Sequence, residues 1–138
     1  MDRNICICQD FLTPAHKAQI TAAADAAGMV PHFFTTAQSQ EAKACLQNCE
    51  VLYAGSPDLL RAAPASLKWY CAASAGVDVY CKDDSLFANP DCLLTNSNAY
   101  GATIAEHTVM VTIMLLRHMP AYVEGARLHQ WLPPQPVR

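Results

Sequence analysis

An α/β fold built on a parallel sheet of about five strands is predicted by three observations. Strand-like and helix-like segments alternate strictly between residues 5 and 95. The strand-like segments are unbroken apolar runs rather than alternating patterns, so each strand is covered on both faces, which implies helices on either side of a parallel sheet. The 138 residues are 52% hydrophobic and 15% charged, enough apolar surface to fill a core and too little charge for a disordered chain. Together these give a doubly wound, flavodoxin-like sandwich, followed by a long C-terminal apolar helix.

Each element has its own reason. Ile5–Cys8 is a short run of β-formers. Thr13-Pro14 then sets a helix start, threonine as N-cap and proline in the first helical position, and Gly28 is a suitable stop. Between them Ala15–Ala27 is alanine-rich, with Ile20 on its inner face. Met29–Phe34 reads as the second strand and Ala37–Asn48 as the second helix. Glu50–Ala54 is the third strand, and Ser56-Pro57 repeats the cap-and-proline device to open a short helix reaching about Ala62. Leu67–Ala72 and Cys92–Thr95 complete the sheet.

The chain then changes character. A long helix is expected from Thr103, with Thr103 and Glu106 at capping-box spacing. Val109, Met110, Val111, Ile113, Met114, Leu115 and Leu116 fall on nearly every side of it, so the helix is expected to be buried all round. A five-stranded layer covers one side only, which leaves a face for another domain or a second copy of the chain. After Leu128, Trp131-Leu132-Pro133-Pro134-Gln135-Pro136 cannot remain helical and reads as a linker.

Composition narrows the function classes. The net charge of −3 gives no basic footprint, so nucleic acid is not an expected partner. The longest apolar run, Thr108–Leu116, is too short for a membrane span and is flanked by Glu106, His107, Arg117 and His118. Met1-Asp2-Arg3-Asn4 leads directly into the first strand without a signal-peptide pattern, so a cytoplasmic location is expected. Seven cysteines, an odd number lying in apolar patterns, read as reduced thiols. Cys45 and Cys49 stand one helical turn apart, but there is no C-x-x-C and no histidine at ligand spacing, so a zinc or redox site there is the weaker reading.

Ligands of open α/β sheets bind beyond the carboxyl ends of the strands. Three loops leave that edge: Ala54-Gly55-Ser56, Ser74–Asp78 and Asn96–Gly101. The first two carry glycines that let a ligand approach the backbone. Ser74-Ala75-Gly76-Val77-Asp78, directly after a strand, is expected to leave main-chain N–H groups facing outward as a cradle for a carboxylate. The third loop adds Asn96, Asn98 and Tyr100 as hydrogen-bonding side chains.

Leu67-Lys68-Trp69-Tyr70, Ser74-Ala75-Gly76-Val77-Asp78, Thr95-Asn96-Ser97 and Tyr100-Gly101-Ala102-Thr103-Ile104-Ala105-Glu106-His107, closed by Arg117, resemble the N-terminal half-signature of the D-isomer-specific 2-hydroxyacid dehydrogenases. The resemblance runs from the first strand to the Trp131 region. It implies a flavodoxin-like substrate domain whose Ala75 and Gly76 amides hold the carboxylate of a small 2-hydroxy or 2-keto acid. It places Tyr100 beside that acid and Thr103 near the nicotinamide end of NAD or NADP, and it makes helix 103–119 a homodimer interface; Gly55, read from its own strand exit, is the further expected substrate-side residue.

One departure is as informative as the match. The family's glycine-rich G-x-G-x-x-G dinucleotide fingerprint occurs nowhere in this sequence, and the family's catalytic arginine, glutamate and histidine lie beyond the portion matched. Glu106 and His107 are neighbours on a helix and do not face one another, so they are no substitute for an acid–base pair. The expected organisation is therefore a substrate-binding domain at 1–102, an interdomain or dimerisation helix at 103–130 and a proline-rich linker end at 131–138, without a Rossmann domain. The functional reading is the substrate-binding domain of an NAD(P)-dependent D-2-hydroxyacid dehydrogenase, inactive in isolation. The alternatives are a stand-alone module that binds or senses small acids and a dimerising interaction protein.

Overall fold

The computed structural model describes residues 3–134, which fall into two units, Met1–Asn98 and Ala99–Arg138. The first unit holds a five-stranded, all-parallel sheet of order β2-β1-β3-β4-β5, with β1 at Arg3–Cys8, β2 at Met29–Phe34, β3 at Cys49–Ala54, β4 at Trp69–Ala72 and β5 at Leu93–Thr95. This is the flavodoxin-like winding that the alternation of elements predicts. Both edges are short or interrupted: β5 has three residues, and β2 carries Pro31, which lacks an N–H and is admitted because the strand lies at the edge.

The first helix, α1 (Pro14–Ala26), starts as its sequence indicates. The Thr13 side chain accepts from the His16 amide and the His16 ring accepts from the Thr13 amide, while Gly28 ends the turn at φ +65°. A 3₁₀ turn, Thr36–Gln38, occupies the start of the expected second helix, so α2 is confined to Ser39–Leu46. Helix α3 (Pro57–Arg61) is capped by Ser56 as predicted. Between β4 and β5 the structure forms α4 (Asp78–Cys81) and a 3₁₀ turn at Asp84–Leu86. These are single turns that carry no apolar periodicity to read.

One face of the sheet buries the larger core, with Leu46, Leu52, Leu59, Leu60, Tyr70, Tyr80 and Leu86 at its heart. A smaller cluster of Ala24, Met29 and Val51, with Ile5 packed against it, seals another part. Tyr70 is fully buried, and its hydroxyl lies 3.1 Å from the Ala54 carbonyl and 3.0 Å from the Tyr80 hydroxyl, so the polar end of this ring is satisfied inside the core.

The second unit corrects two expectations. The long helix begins two residues early and is broken. Helix α5 spans Gly101–Leu116 and α6 spans Met119–Arg127, separated by His118 in the left-handed region at φ 55°. Tyr100, itself near helical geometry, is the N-cap of α5 and its carbonyl accepts from the Ile104 amide, so Thr103 and Glu106 lie inside the first turns and no side chain caps the helix. The capping-box reading fails because nothing in Tyr100-Gly101-Ala102 halts the helical backbone upstream. Within the single chain none of the residues of α5 is buried, and Ile104, Val109, Ile113 and Leu115 are each more than half exposed. Leu132 folds back onto α6 at Gly125, where a side chain would meet it at 2.9 Å. The linker residues Gln135 and Pro136 lie outside the described residues. No helix among the described residues is long and apolar enough to cross a membrane.

Candidate functional site

Strands β1, β3 and β4 are neighbours, and their last residues Cys8, Ala54 and Ala72 share one row of the sheet. The chain therefore delivers Gln9, Gly55 and Ala73 side by side at the carboxyl edge, with Ser74-Ala75-Gly76-Val77 just beyond. The Ala73 amide donates to the Ala54 carbonyl at 3.1 Å, which continues the β3–β4 ladder one step past the strands. Gly55 and the Ala75–Gly76 turn are thus brought to the same edge by the sheet itself.

Residues 74–77 are not helical; the first helical residue is Asp78. Every carbonyl in the turn is engaged from within the unit. The Ser74 carbonyl accepts from the Ser97 amide at 3.2 Å, that of Ala75 from Asn96 Nδ2 at 2.6 Å, and that of Gly76 from the Ser74 hydroxyl at 2.9 Å. The Val77 carbonyl accepts the Tyr80 and Cys81 amides that start α4. By contrast, the amides of Ala75 and Gly76 donate to no acceptor among the described residues, and both residues are exposed. With the acceptors tied inward and the donors left outward, this turn presents partial positive charge to solvent, which suits an anion. A Cβ at Gly76 would meet nothing within 4 Å, so the space in front of the turn is open.

Asn96, expected as a group for the ligand, instead braces the turn through its bond to Ala75. Tyr100 and Thr103 belong to the second unit, where they share the exposed start of α5.

Two features of the same edge escape a sequence reading. Gln9, the residue after β1, is buried, and its Nε2 has no hydrogen-bond partner; a Cβ at Gly55 would lie 3.6 Å from it. Nothing marks this glutamine in sequence, because it only ends an apolar run. A cavity of about 250 Å³ lies nearby, lined by Cys8 at the end of β1, Thr36 in the 3₁₀ turn, Ser39 and Lys43 of α2, and Ser56 and Asp58 at the start of α3. Asp10 accepts from the Thr36 amide at 2.8 Å and from its hydroxyl at 2.5 Å, and these bonds hold its carboxyl below the usual range.

The five glycines do not make a dinucleotide cradle. Gly28, Gly55, Gly76, Gly101 and Gly125 lie far apart in sequence, and no strand-to-helix turn here carries two of them. Among the described residues no group of three histidine, cysteine or acidic side chains is placed to hold a metal ion.

No protein-family model matches the sequence, and no curated protein matches it. Solved structures do. A D-isomer specific 2-hydroxyacid dehydrogenase family protein from Aeromonas salmonicida subsp. salmonicida A449 superposes with a TM-score of 0.70 at 24% identity, covering 100% of this chain and 43% of that one. A glyoxylate reductase from Paecilomyes thermophila gives 0.59 at 14% identity, over 94% of this chain and 43% of its own. The Rhodotorula graminis D-mandelate dehydrogenase, in its holo form, gives 0.56 at 16% identity, over 94% and 41%. The chain spans less than half the length of each of these proteins, and its fold is that of a part of a D-isomer specific 2-hydroxyacid dehydrogenase.

Proposed function

We propose that this chain is the substrate-binding portion of an NAD(P)-dependent D-2-hydroxyacid dehydrogenase, and that its role is to hold the carboxylate of a small 2-hydroxy or 2-keto acid on the amides of Ala75 and Gly76. The observation that carries this reading is the turn after β4, whose carbonyls are all engaged while those two amides point to no protein acceptor. Gly55, on the adjacent strand exit, leaves the backbone approachable beside it. The likeness of fold to three 2-hydroxyacid-type oxidoreductases supports the substrate class.

The dinucleotide supplies and accepts the hydride when bound. The residues of this chain do not fit it as a main binding surface, since they form no glycine-rich cradle, so its site is assigned to another part of the intact enzyme, with Thr103 at most touching its nicotinamide end. The chemistry left to this chain is anion binding and orientation. A second copy of the chain covers the apolar surface of α5 in the assembled protein, in which the helix serves as a dimer interface.

The reading is tested by titrating the ¹⁵N-labelled chain with glyoxylate and pyruvate. Saturable shifts are expected at the amides of Ala75 and Gly76. Gly76→Pro, which deletes one of the two N–H donors, is expected to weaken binding about tenfold to a hundredfold, the worth of one charge-assisted hydrogen bond. Shifts confined to other parts of the chain would sink the carboxylate cradle. With NADH and the same keto acids, the chain alone is expected to give no turnover.

A further inference from the structure

A pair of thiols lies away from the strand exits and takes no part in the acid-binding reading. Cys45 sits in the last turn of α2 and Cys49 opens β3, and their Sγ atoms are 3.9 Å apart. The Cys49 thiol donates to the Cys45 carbonyl at 3.3 Å, so the two residues approach one another through backbone as well as side chain. The intervening turn is fixed. The Asn48 amide donates to the Cys45 carbonyl at 3.1 Å, and Gln47 Nε2 reaches the Ala62 carbonyl at 2.9 Å. A disulfide needs the sulfurs about 2 Å closer, a gap that side-chain rotation spans when the backbones already lie together.

The two thiols differ in access. Cys45 is half-buried and Cys49 is buried. The third thiol of the neighbourhood, Cys6, is fully buried and donates to the Ala42 carbonyl. Burial pushes the Cys49 thiol well above its ordinary value and that of Cys6 up to about 12, so neither offers a thiolate to an oxidant in solution. A metal does not explain the pair, because among the described residues no three-ligand group is present.

We propose that Cys45 and Cys49 form an oxidation-sensitive dithiol, in which Cys45 reacts first with a hydroperoxide and Cys49 resolves it as an intramolecular disulfide. In the first step the Cys45 sulfur attacks one peroxide oxygen. An S–O bond forms and the O–O bond breaks, the sulfur is oxidised by two electrons to a sulfenic acid, and the thiol proton leaves with the departing hydroxide as water. In the second step the Cys49 sulfur attacks the Cys45 sulfur. The S–S bond forms, the S–O bond breaks, and the Cys49 proton leaves with hydroxide as a second water. One hydroperoxide is consumed per disulfide; hydrogen peroxide gives two waters. The closed loop is only a few residues long, so it constrains the unfolded chain little. Its chemical effect is to hold Cys45 at a reducible oxidation level and keep it from the irreversible sulfinic and sulfonic states.

The test uses the full chain treated with hydrogen peroxide, alkylated with N-ethylmaleimide and digested with trypsin. The peptide Ala44–Arg61 contains Cys45 and Cys49 and no other cysteine. It is expected to lose two hydrogens, to take up no alkylating agent, and to regain both sites after dithiothreitol. In Cys49→Ser, Cys45 is expected to be trapped by dimedone as a sulfenic acid or to proceed to the sulfinic state. If the exposed Cys81 has been oxidised while Ala44–Arg61 still accepts two alkyl groups, the proposal is overturned. Sulfinic acid on Cys45 of the unaltered chain, with Cys49 still alkylated, overturns it equally.

Discussion

At the scale of single residues, polar groups inside this fold are either paired with care or left conspicuously unpaired. Tyr70 is of the first kind: burial raises its hydroxyl well above the ordinary phenol value, so it stays neutral and bridges the Ala54 carbonyl and the Tyr80 hydroxyl. Tyr70→Phe keeps the ring contact, whose centroids lie 5.2 Å from those of Tyr80 at an edge-on angle, but strands its partners. A loss of about 1–2 kcal/mol is expected in urea unfolding, and an unchanged midpoint would show that the bridge contributes nothing. Gln9 is of the second kind, a buried amide nitrogen without a partner beside Gly55. Burying such a group costs about 1–3 kcal/mol. Gln9→Met, of similar length and apolar, is therefore expected to raise the unfolding midpoint, and a fall would mean that the amide has a partner in solution.

At the scale of elements, the parts of this fold that were readable are those in which a local rule and the tertiary packing agree. Thr13-Pro14, Gly28 and Ser56-Pro57 each combine a cap or stop with the apolar run beside it, and all three act as read. The carboxyl-edge turn was readable for the same reason, since a glycine after a strand says where the chain bends. The failures come where a local signal is overridden or passed over. The long helix breaks at His118 because Pro120, in the first turn of α6, lacks an N–H and its ring excludes the helical ladder before it, and Thr103-x-x-Glu106 has the spacing of a capping box but no backbone stop before it. The inward bonds that leave Ala75 and Gly76 unpaired depend on Asn96 and Ser97, some twenty residues away, which no local pattern announces. The strands are tied at their amino ends by Glu50, which meets Arg3 at 3.2 Å and Lys68 at 3.3 Å. Hydrogen bonds from Arg3 and then Lys68 hold its carboxyl below the usual range. A depressed folded value means that this contribution is present above the ordinary carboxylate range and disappears as pH falls through the lowered one. The melting temperature of Glu50→Gln is accordingly expected to lie below that of the unaltered chain near pH 7 and to converge with it in acid. A gap that persists unchanged to pH 2 would contradict the assignment, and high salt should narrow it.

At the scale of the whole molecule, the leading fact is apolar surface without cover. Helix α5 leaves Ile104, Val109, Ile113 and Leu115 more than half exposed along its length and on more than one side, the kind of exposed apolar surface that marks an interaction site. If a second copy covers it, sedimentation should give a dimer at micromolar concentration and a monomer for the double variant Ile113→Glu, Leu116→Glu. A monomer for both chains would leave this surface to another partner.

Pro31 gives the molecule a further property. It interrupts the outer margin of the sheet at β2, and the opposite margin, β5, is three residues long. Neither side offers an incoming polypeptide an uninterrupted row of donors and acceptors on which to template, so sheet-to-sheet polymerisation has no starting point. The side chains of α5 are then the surface left for association, and strand addition at the sheet is not.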